Sequence, residues 1–270
     1  MKIYKMDNSF NPAESGTCFL IYGDTGVGKT RSFTTLPDPI LIINTEPRDP
    51  RVTLQGSVKR NITIWEMDGF LEIIATLDGL LADYEKGEKK FKSVCFDSVS
   101  FIQSDLKTEL EDSRFEKETK LVDKTNKSRY DTLVDKFRIE QGDWGSLASM
   151  LKRITWQLNR LSKFGVIVVA TATLAEYPSY NRDLVAAPFF EGKSYPAVMK
   201  GYFDFIGFVT PGINKPYPPN VSFISDGSFM SKSSSEKLNN IGGKGELNFT
   251  KILSVILSPI TGKEEKKDKV

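Results

Sequence analysis

The chain has 270 residues, 39% hydrophobic and 27% charged, enough to bury the core of one large domain and ordinary for a soluble globular protein. Lys and Arg number 37 against 35 Asp and Glu, a formal charge of +2, so any nucleic-acid surface must be a local patch. Histidine is absent, which excludes Ser-His-Asp and Cys-His nucleophilic catalysis and the usual His-ligated metal sites, and leaves chemistry to carboxylates, Lys, Arg, hydroxyls and a bound metal.

The first residues, Met1 to Asp7, contain no signal-peptide apolar stretch, and no apolar run approaches the ~20 residues needed to span a bilayer. The expectation is a soluble, cytoplasmic protein without membrane contact. Cys18 and Cys95 both lie inside apolar runs and read as reduced core residues.

The first predicted strand, Cys18 to Tyr22, runs into Gly23-Asp24-Thr25-Gly26-Val27-Gly28-Lys29-Thr30, the pattern G-x-x-x-x-G-K-T. Glycines at these positions let successive backbone N–H groups wrap a phosphate. Lys29 then reaches the β and γ phosphates and the Thr30 hydroxyl ligates Mg²⁺. These eight residues and the following Arg31 are the expected nucleotide contacts. ATP and Mg²⁺ are the expected ligands.

The next strand, Ile40 to Ile43, is followed by Asn44-Thr45-Glu46-Pro47. Ligands of open α/β sheets bind at the carboxyl ends of strands, so Glu46 is the candidate to activate water at the γ phosphate. Ile62 to Trp65 is a third strand and Ser93 to Phe96 a fourth, ending in Asp97. A P-loop needs a second carboxylate on the magnesium side, and Asp97 fits that place, with Ser98 beside it in the position where many ATPases carry glutamate.

From Asp105 to Glu140 charges of both signs crowd the chain, which reads as a helical, protruding or partly mobile insertion after the fourth strand. Trp144 to about Lys163 is the clearest helix: Asp143 suits the N-cap, Leu147, Leu151, Ile154, Leu158 and Leu161 recur at helical spacing, and Gly165 stops it. Lys152, Arg153 and Arg160 fall off that stripe, on a solvated face.

A fifth strand, Val166 to Thr171, ends among threonines. Thr171 or Thr173 is placed to sense the γ phosphate, or to satisfy local backbone groups. The long stretch Tyr177 to Gly201 that follows reads as irregular and mixes aromatics with cations: Tyr180, Arg182, Phe189, Phe190, Lys193 and Lys200 among them. Bases stack on such rings at roughly 1 to 3 kcal/mol each while cations neutralise phosphate. The rings serve equally well as core anchors, and Arg182, Lys193 or Lys200 as a finger into a neighbouring subunit's ATP site. A sixth strand, Phe205 to Val209, precedes a Ser/Asn/Gly-rich surface loop, Lys232 to Lys244, and a charged tail, Thr261 to Val270. The apolar runs are mostly continuous rather than alternating, and they alternate with helices. An α/β fold with a mainly parallel central sheet flanked by helices is the expectation.

The segments GDTGVGKT, ILIINTEPRD, FKSVCFDSVS and QGDWGSLASMLKRITWQLNRLSKFGVIVVATATLAE, in this order, resemble the RecA/RadA-like P-loop ATPase core, and within it the phage ATP-dependent single-strand annealing proteins. The similarity covers Thr17 to Val209. It implies one RecA-like ATPase domain over 1–260 with the 105–140 insertion, ATP-dependent binding of single-stranded DNA, strand annealing in phage recombination, a homo-oligomer or filament, and a single-strand-binding protein as partner. It gives Glu46 the catalytic role, with Lys29, Thr30 and Asp97 on Mg-ATP. Threonines replace the Gln or His that often ends the fifth strand of such proteins, and the insertion exceeds a minimal core. Two other readings stay open: a nucleotide-gated module with negligible turnover, and a small-molecule kinase. A kinase lid needs several arginines, whereas Tyr177 to Gly201 holds one, Arg182.

Overall fold

A computed structural model of the chain describes residues 16–57, 59–67, 69–125, 141–178, 184–190, 198–212 and 218–258. The expected α/β class is what it shows: a central, mostly parallel sheet flanked by helices. The strands are β1 (Thr17–Gly23), β2 (Ile40–Asn44), β3 (Ile62–Glu66), β4 (Ser93–Asp97), β5 (Ile167–Pro178), β6 (Leu184–Pro188), β7 (Phe205–Thr210), β8 (Asn220–Ser222), β9 (Lys232–Ser233) and β10 (Lys244–Glu246). The order across the sheet is β10-β8-β7-β1-β5-β4-β2-β3, with every neighbour from β7 to β3 parallel and the smaller strands antiparallel.

The helices are α1 (Lys29–Ser32), α2 (Arg51–Leu54), α3 (Phe70–Glu85), α4 (Val99–Thr125), α5 (Gln141–Ser162), α6 (Glu236–Asn240) and α7 (Phe249–Ile256). They cover both faces of the sheet. Cys18, Leu20 and Tyr22 of β1 pack toward α3, α4 and α5, while Phe19 and Ile21 pack toward the face closed by α7 and the turn after α1. Two buried faces explain why the central strands are uninterrupted apolar runs. On the second face Phe19 stacks on Phe205 at 4.7 Å between ring centroids and meets Phe249 edge-on at 5.5 Å.

Three expectations need correction. The long helix is already formed at Gln141, so Asp143 lies inside it rather than capping it. The stretch after the fifth strand is not irregular from Tyr177 onward: β5 continues to Pro178 and β6 pairs back antiparallel, from Leu174 opposite Pro188 to Pro178 opposite Leu184. The loop 232–244 carries β9, α6 and the start of β10, with Ser235 capping α6 by accepting the Leu238 N–H at 3.3 Å. The 105–140 segment begins inside α4, which runs unbroken from Val99 to Thr125. Residues 126–140 and the tail 261–270 lie outside the described residues.

Leu158 sits at the centre of the apolar stripe of α5, fully buried against the sheet. Leu158→Ala is expected to cost about 2–5 kcal/mol by lost transfer energy plus the cavity left behind, read as a lower urea midpoint with an unchanged slope.

Candidate functional site

The site stands at the carboxyl ends of β1, β2, β4 and β5. Gly23 closes β1 where a side chain would not fit, because a Cβ there would lie 2.4 Å from the Val209 carbonyl oxygen. Gly26 and Gly28 take φ of 82° and 100°, conformations that L residues with a Cβ rarely adopt, and so turn the loop back onto itself. Val27 is buried and anchors the loop to the core, while Asp24, Thr25 and Arg31 are exposed. Behind the loop α1 is a single turn, continued by a 3₁₀ turn over Phe33–Thr35.

Lys29 is only 8% exposed, and its ammonium donates to the carbonyls of Gly23 at 2.7 Å and Asp24 at 2.9 Å. Burial pulls its amine below the ordinary lysine value, opposed by the charges of Asp97, Glu46 and Asp24. Asp97 is 2% exposed. Its Oδ2 accepts from the Thr30 hydroxyl at 2.7 Å, and its Oδ1 accepts from the Thr171 hydroxyl. Burial raises its carboxyl above the usual range, and the Glu46 charge adds to that; the two hydroxyl donors and Lys29 act against it.

The sheet order explains the Thr171 contact. β5 lies between β1 and β4, with Thr171 opposite Ile21 on one side and Ala170 opposite Phe96 on the other. Thr171 is fully buried and its hydroxyl donates to Asp97, which ties β5 to the carboxylate on the magnesium side. The backbone of Thr173 is held on both sides: its N–H donates to Ser100 Oγ at 3.0 Å and its carbonyl accepts the Phe189 N–H at 2.9 Å.

Glu46 lies on the turn after β2. Its side chain is 11% exposed and lines a cavity of about 310 Å³ together with Thr30 and Asp97. The structure thus brings Lys29, Thr30, Asp97 and Glu46 together from three separate segments. Four further residues escape a sequence reading. Asn44 braces the turn, donating to the carbonyl of Glu46 at 2.9 Å. Thr45 ties β2 to the residue after Asp97, its hydroxyl donating to the Ser98 carbonyl at 2.9 Å and accepting the Ser98 N–H at 3.0 Å. Arg48 pairs with Glu46, Nη2 to Oε2, at 3.1 Å. Ser100 Oγ donates to the Phe189 carbonyl at 3.0 Å, in addition to receiving Thr173. The only sequence signal was local: small polar residues within three positions of Asp97 and an Arg two residues after Glu46.

The oxygen donors fit a magnesium ion. Thr30 and Asp97 present a hydroxyl and a carboxylate 2.7 Å apart beside the loop, the hard-oxygen set that Mg²⁺ takes when phosphates supply further ligands.

Of the residues expected to meet DNA, Phe190 is corrected. It is 1% exposed within the core, and its backbone is held by the Tyr177 hydroxyl at 2.9 and 3.1 Å, so its ring is not offered to a base. Phe189 is half-buried and Lys200 is exposed. Tyr180, Arg182 and Lys193 lie outside the described residues. The β5–β6 hairpin is fastened at its root to the site: Ser100 holds Thr173 of β5 and Phe189 just past β6, and the Tyr22 hydroxyl, next to Gly23, donates to the carbonyls of Ala186 at 3.0 Å and Met230 at 2.6 Å.

A family model of the AAA domain matches residues 15–215. The chain belongs to the AAA domain family. It is an AAA-type P-loop ATPase domain whose loop, strands β1 to β7 and hairpin fall inside the matched segment. Among solved structures it is similar to one titled "The Structure Of A DnaB-Like Replicative Helicase And Its Interactions With Primase", at 10% identity and a TM-score of 0.41, over 83% of this chain and 54% of that one. The chain therefore spans about half the length of that protein. No curated protein matches the sequence. Among the described residues, no helix is long and apolar enough to cross a membrane.

The buried Asp97 carries a testable cost. Because its folded value lies above the unfolded value of 3.8, the stability it contributes is present below about pH 4 and lost as pH rises through the folded value. Asp97→Asn should therefore melt higher than the parent at pH 7 without nucleotide, with the gap closing toward pH 4. A lower melting temperature at pH 7 would show that the carboxylate is stabilising.

Proposed function

We propose that this AAA domain is a RecA-like ATPase that binds single-stranded DNA and promotes annealing of strands, in recombination of the phage type, working as a homo-oligomer. The observation that carries the hydrolytic part is the convergence of Thr30, Asp97 and Glu46 on one cavity at the strand ends, with the Lys29 ammonium near enough to feel the charges of Asp97 and Glu46. In this reading the backbone N–H groups of Gly26 to Thr30 and the Lys29 ammonium bind the β and γ phosphates of ATP. Thr30 and Asp97 would hold Mg²⁺, which when bound neutralises charge on the phosphate oxygens. Glu46 takes a proton from the attacking water as the water oxygen bonds to the γ phosphorus and the bond to the β-phosphate oxygen breaks, giving ADP and phosphate.

The DNA part rests on the resemblance and on the hairpin. Its root is hydrogen-bonded to Ser100, three residues past Asp97, and to Tyr22, one residue before Gly23. A change in the loop or at Asp97 is thereby transmitted to the strands that lead to Tyr180, Arg182 and, past β6, to Lys193. A single-strand-binding protein is the expected partner in the same process, and the cytoplasm the expected location. The whole chain over 1–260 acts as one domain in this reading, with the 105–140 segment as an arm on α4.

The test is steady-state ATP hydrolysis with Mg²⁺, with and without a long single-stranded oligonucleotide. Turnover should rise with DNA. Lys29→Ala should abolish it through lost nucleotide binding, and Glu46→Gln should lower kcat about 10² to 10⁴-fold with nucleotide still bound. Turnover indifferent to DNA would overturn the DNA reading, and undiminished turnover in Glu46→Gln would overturn the role of Glu46.

A further inference from the structure

The turn after β2 holds an ion pair of unequal partners. Asn44, itself 4% exposed, donates its side-chain amide to the carbonyls of Glu46 at 2.9 Å and Arg48 at 3.4 Å, and accepts the Glu46 N–H at 3.4 Å. The intervening Pro47 limits the backbone further. The turn is thus fixed, and across it Arg48 Nη2 meets Glu46 Oε2 at 3.1 Å. The Glu46 side chain is 11% exposed and that of Arg48 65%. The carboxylate is the seated member and the guanidinium the movable one, since an exposed ion pair is weakly held and changes partners readily.

Both side chains line the cavity that Thr30 and Asp97 also line. The other arginine of this segment, Arg51, is taken by Asp49 at 2.8 Å. While Arg48 engages Oε2, one of the acceptor positions of the carboxylate is occupied and a cation sits on the edge that would meet the water. A terminal phosphate in the cavity would carry more charge and three oxygens that suit the planar guanidinium fork better than one carboxylate oxygen does.

We propose that Arg48 is a nucleotide-responsive gate on Glu46: its guanidinium pairs with the Glu46 carboxylate until a nucleoside triphosphate enters the cavity, then moves to the terminal phosphate and leaves Glu46 free to accept a proton from water. The assignment deepens the hydrolytic reading above and rests on it for the role of Glu46. It makes Arg48 the residue by which the site tells a triphosphate from a diphosphate, because only the former supplies the group that draws the guanidinium away.

The experiment is equilibrium binding of Mg-ADP and of the Mg complex of adenylyl imidodiphosphate to the parent, Arg48→Ala, Arg48→Lys, Glu46→Gln and the double variant Glu46→Gln/Arg48→Ala. Arg48→Ala should lose about tenfold or more of the preference for the triphosphate, the size of one charge-assisted contact, with ADP affinity within about twofold of the parent. Arg48→Lys should recover part of the preference. Glu46→Gln, which frees Arg48 beforehand, should tighten the triphosphate, and that gain should vanish in the double variant. A triphosphate preference unchanged in Arg48→Ala overturns the proposal, as does a Glu46→Gln gain that persists without Arg48. Turnover measured on Glu46→Gln separates the two ideas: full activity there refutes Glu46 as the base, whereas the binding ratios judge Arg48 on their own.

Discussion

The site is organised around one buried carboxylate. Asp97 ends β4 almost without solvent and is satisfied by two hydroxyls that arrive from different directions, Thr30 from the phosphate loop and Thr171 from β5. A carboxylate so buried is tolerated only when its oxygens are hydrogen-bonded. The sheet supplies that condition: with β5 inserted between β1 and β4 and running on past both, a polar side chain within β5 meets the end of β4, while the loop after β1 delivers Thr30 to the other oxygen. The strand order is therefore what makes Asp97 possible, and Asp97 in turn fixes the loop relative to the sheet.

From this point hydrogen bonds run outward through short side chains. Thr45 joins the end of β2 to Ser98, and Ser100 joins the first turn of α4 to Thr173 of β5 and Phe189 just past β6. Ser, Thr and Asn are short enough that their bonds fix backbone to backbone with little slack. A displacement at the loop or at Asp97 has stiff connections to the turn that carries Glu46 and to the hairpin, and under the proposed reading these connections couple nucleotide state to DNA.

The central strands were legible because both faces of the sheet are covered: β1, β2 and β4 had to be continuous apolar runs, and such runs stand out in a sequence. The phosphate loop was legible because its glycines answer steric demands that no other residue meets. The hairpin was not. Leu184 to Pro188 is a five-residue run that follows Asp183 and closes on a proline, and it becomes a strand only because β5 overruns the sheet and offers it an edge. The strands Asn220–Ser222, Lys232–Ser233 and Lys244–Glu246 are too short and polar to carry a period and exist through their pairing alone. At the site, Asp97 and Glu46 followed from their places after strands. Thr171 was found without its partner, because the sequence shows a hydroxyl at the end of an apolar run and does not show which neighbour it faces. Phe190 was likewise ambiguous until burial decided it.

The two charges nearest the phosphate loop are both held against their preference. Burial works against the ammonium of Lys29 and against the carboxylate of Asp97, yet the two do not satisfy each other: Lys29 is hydrogen-bonded to the carbonyls of Gly23 and Asp24, and Asp97 to neutral hydroxyls. A direct Lys29–Asp97 pair would relieve both and close the site. Keeping them apart leaves a cation that gains from an anionic phosphate and an anion that gains from a divalent ion, each already desolvated and aimed. Under the proposed reading Mg-ATP supplies both partners at once, so part of its binding energy comes from relieving strain that folding has stored, and ligand binding and domain stability are linked through the same two side chains.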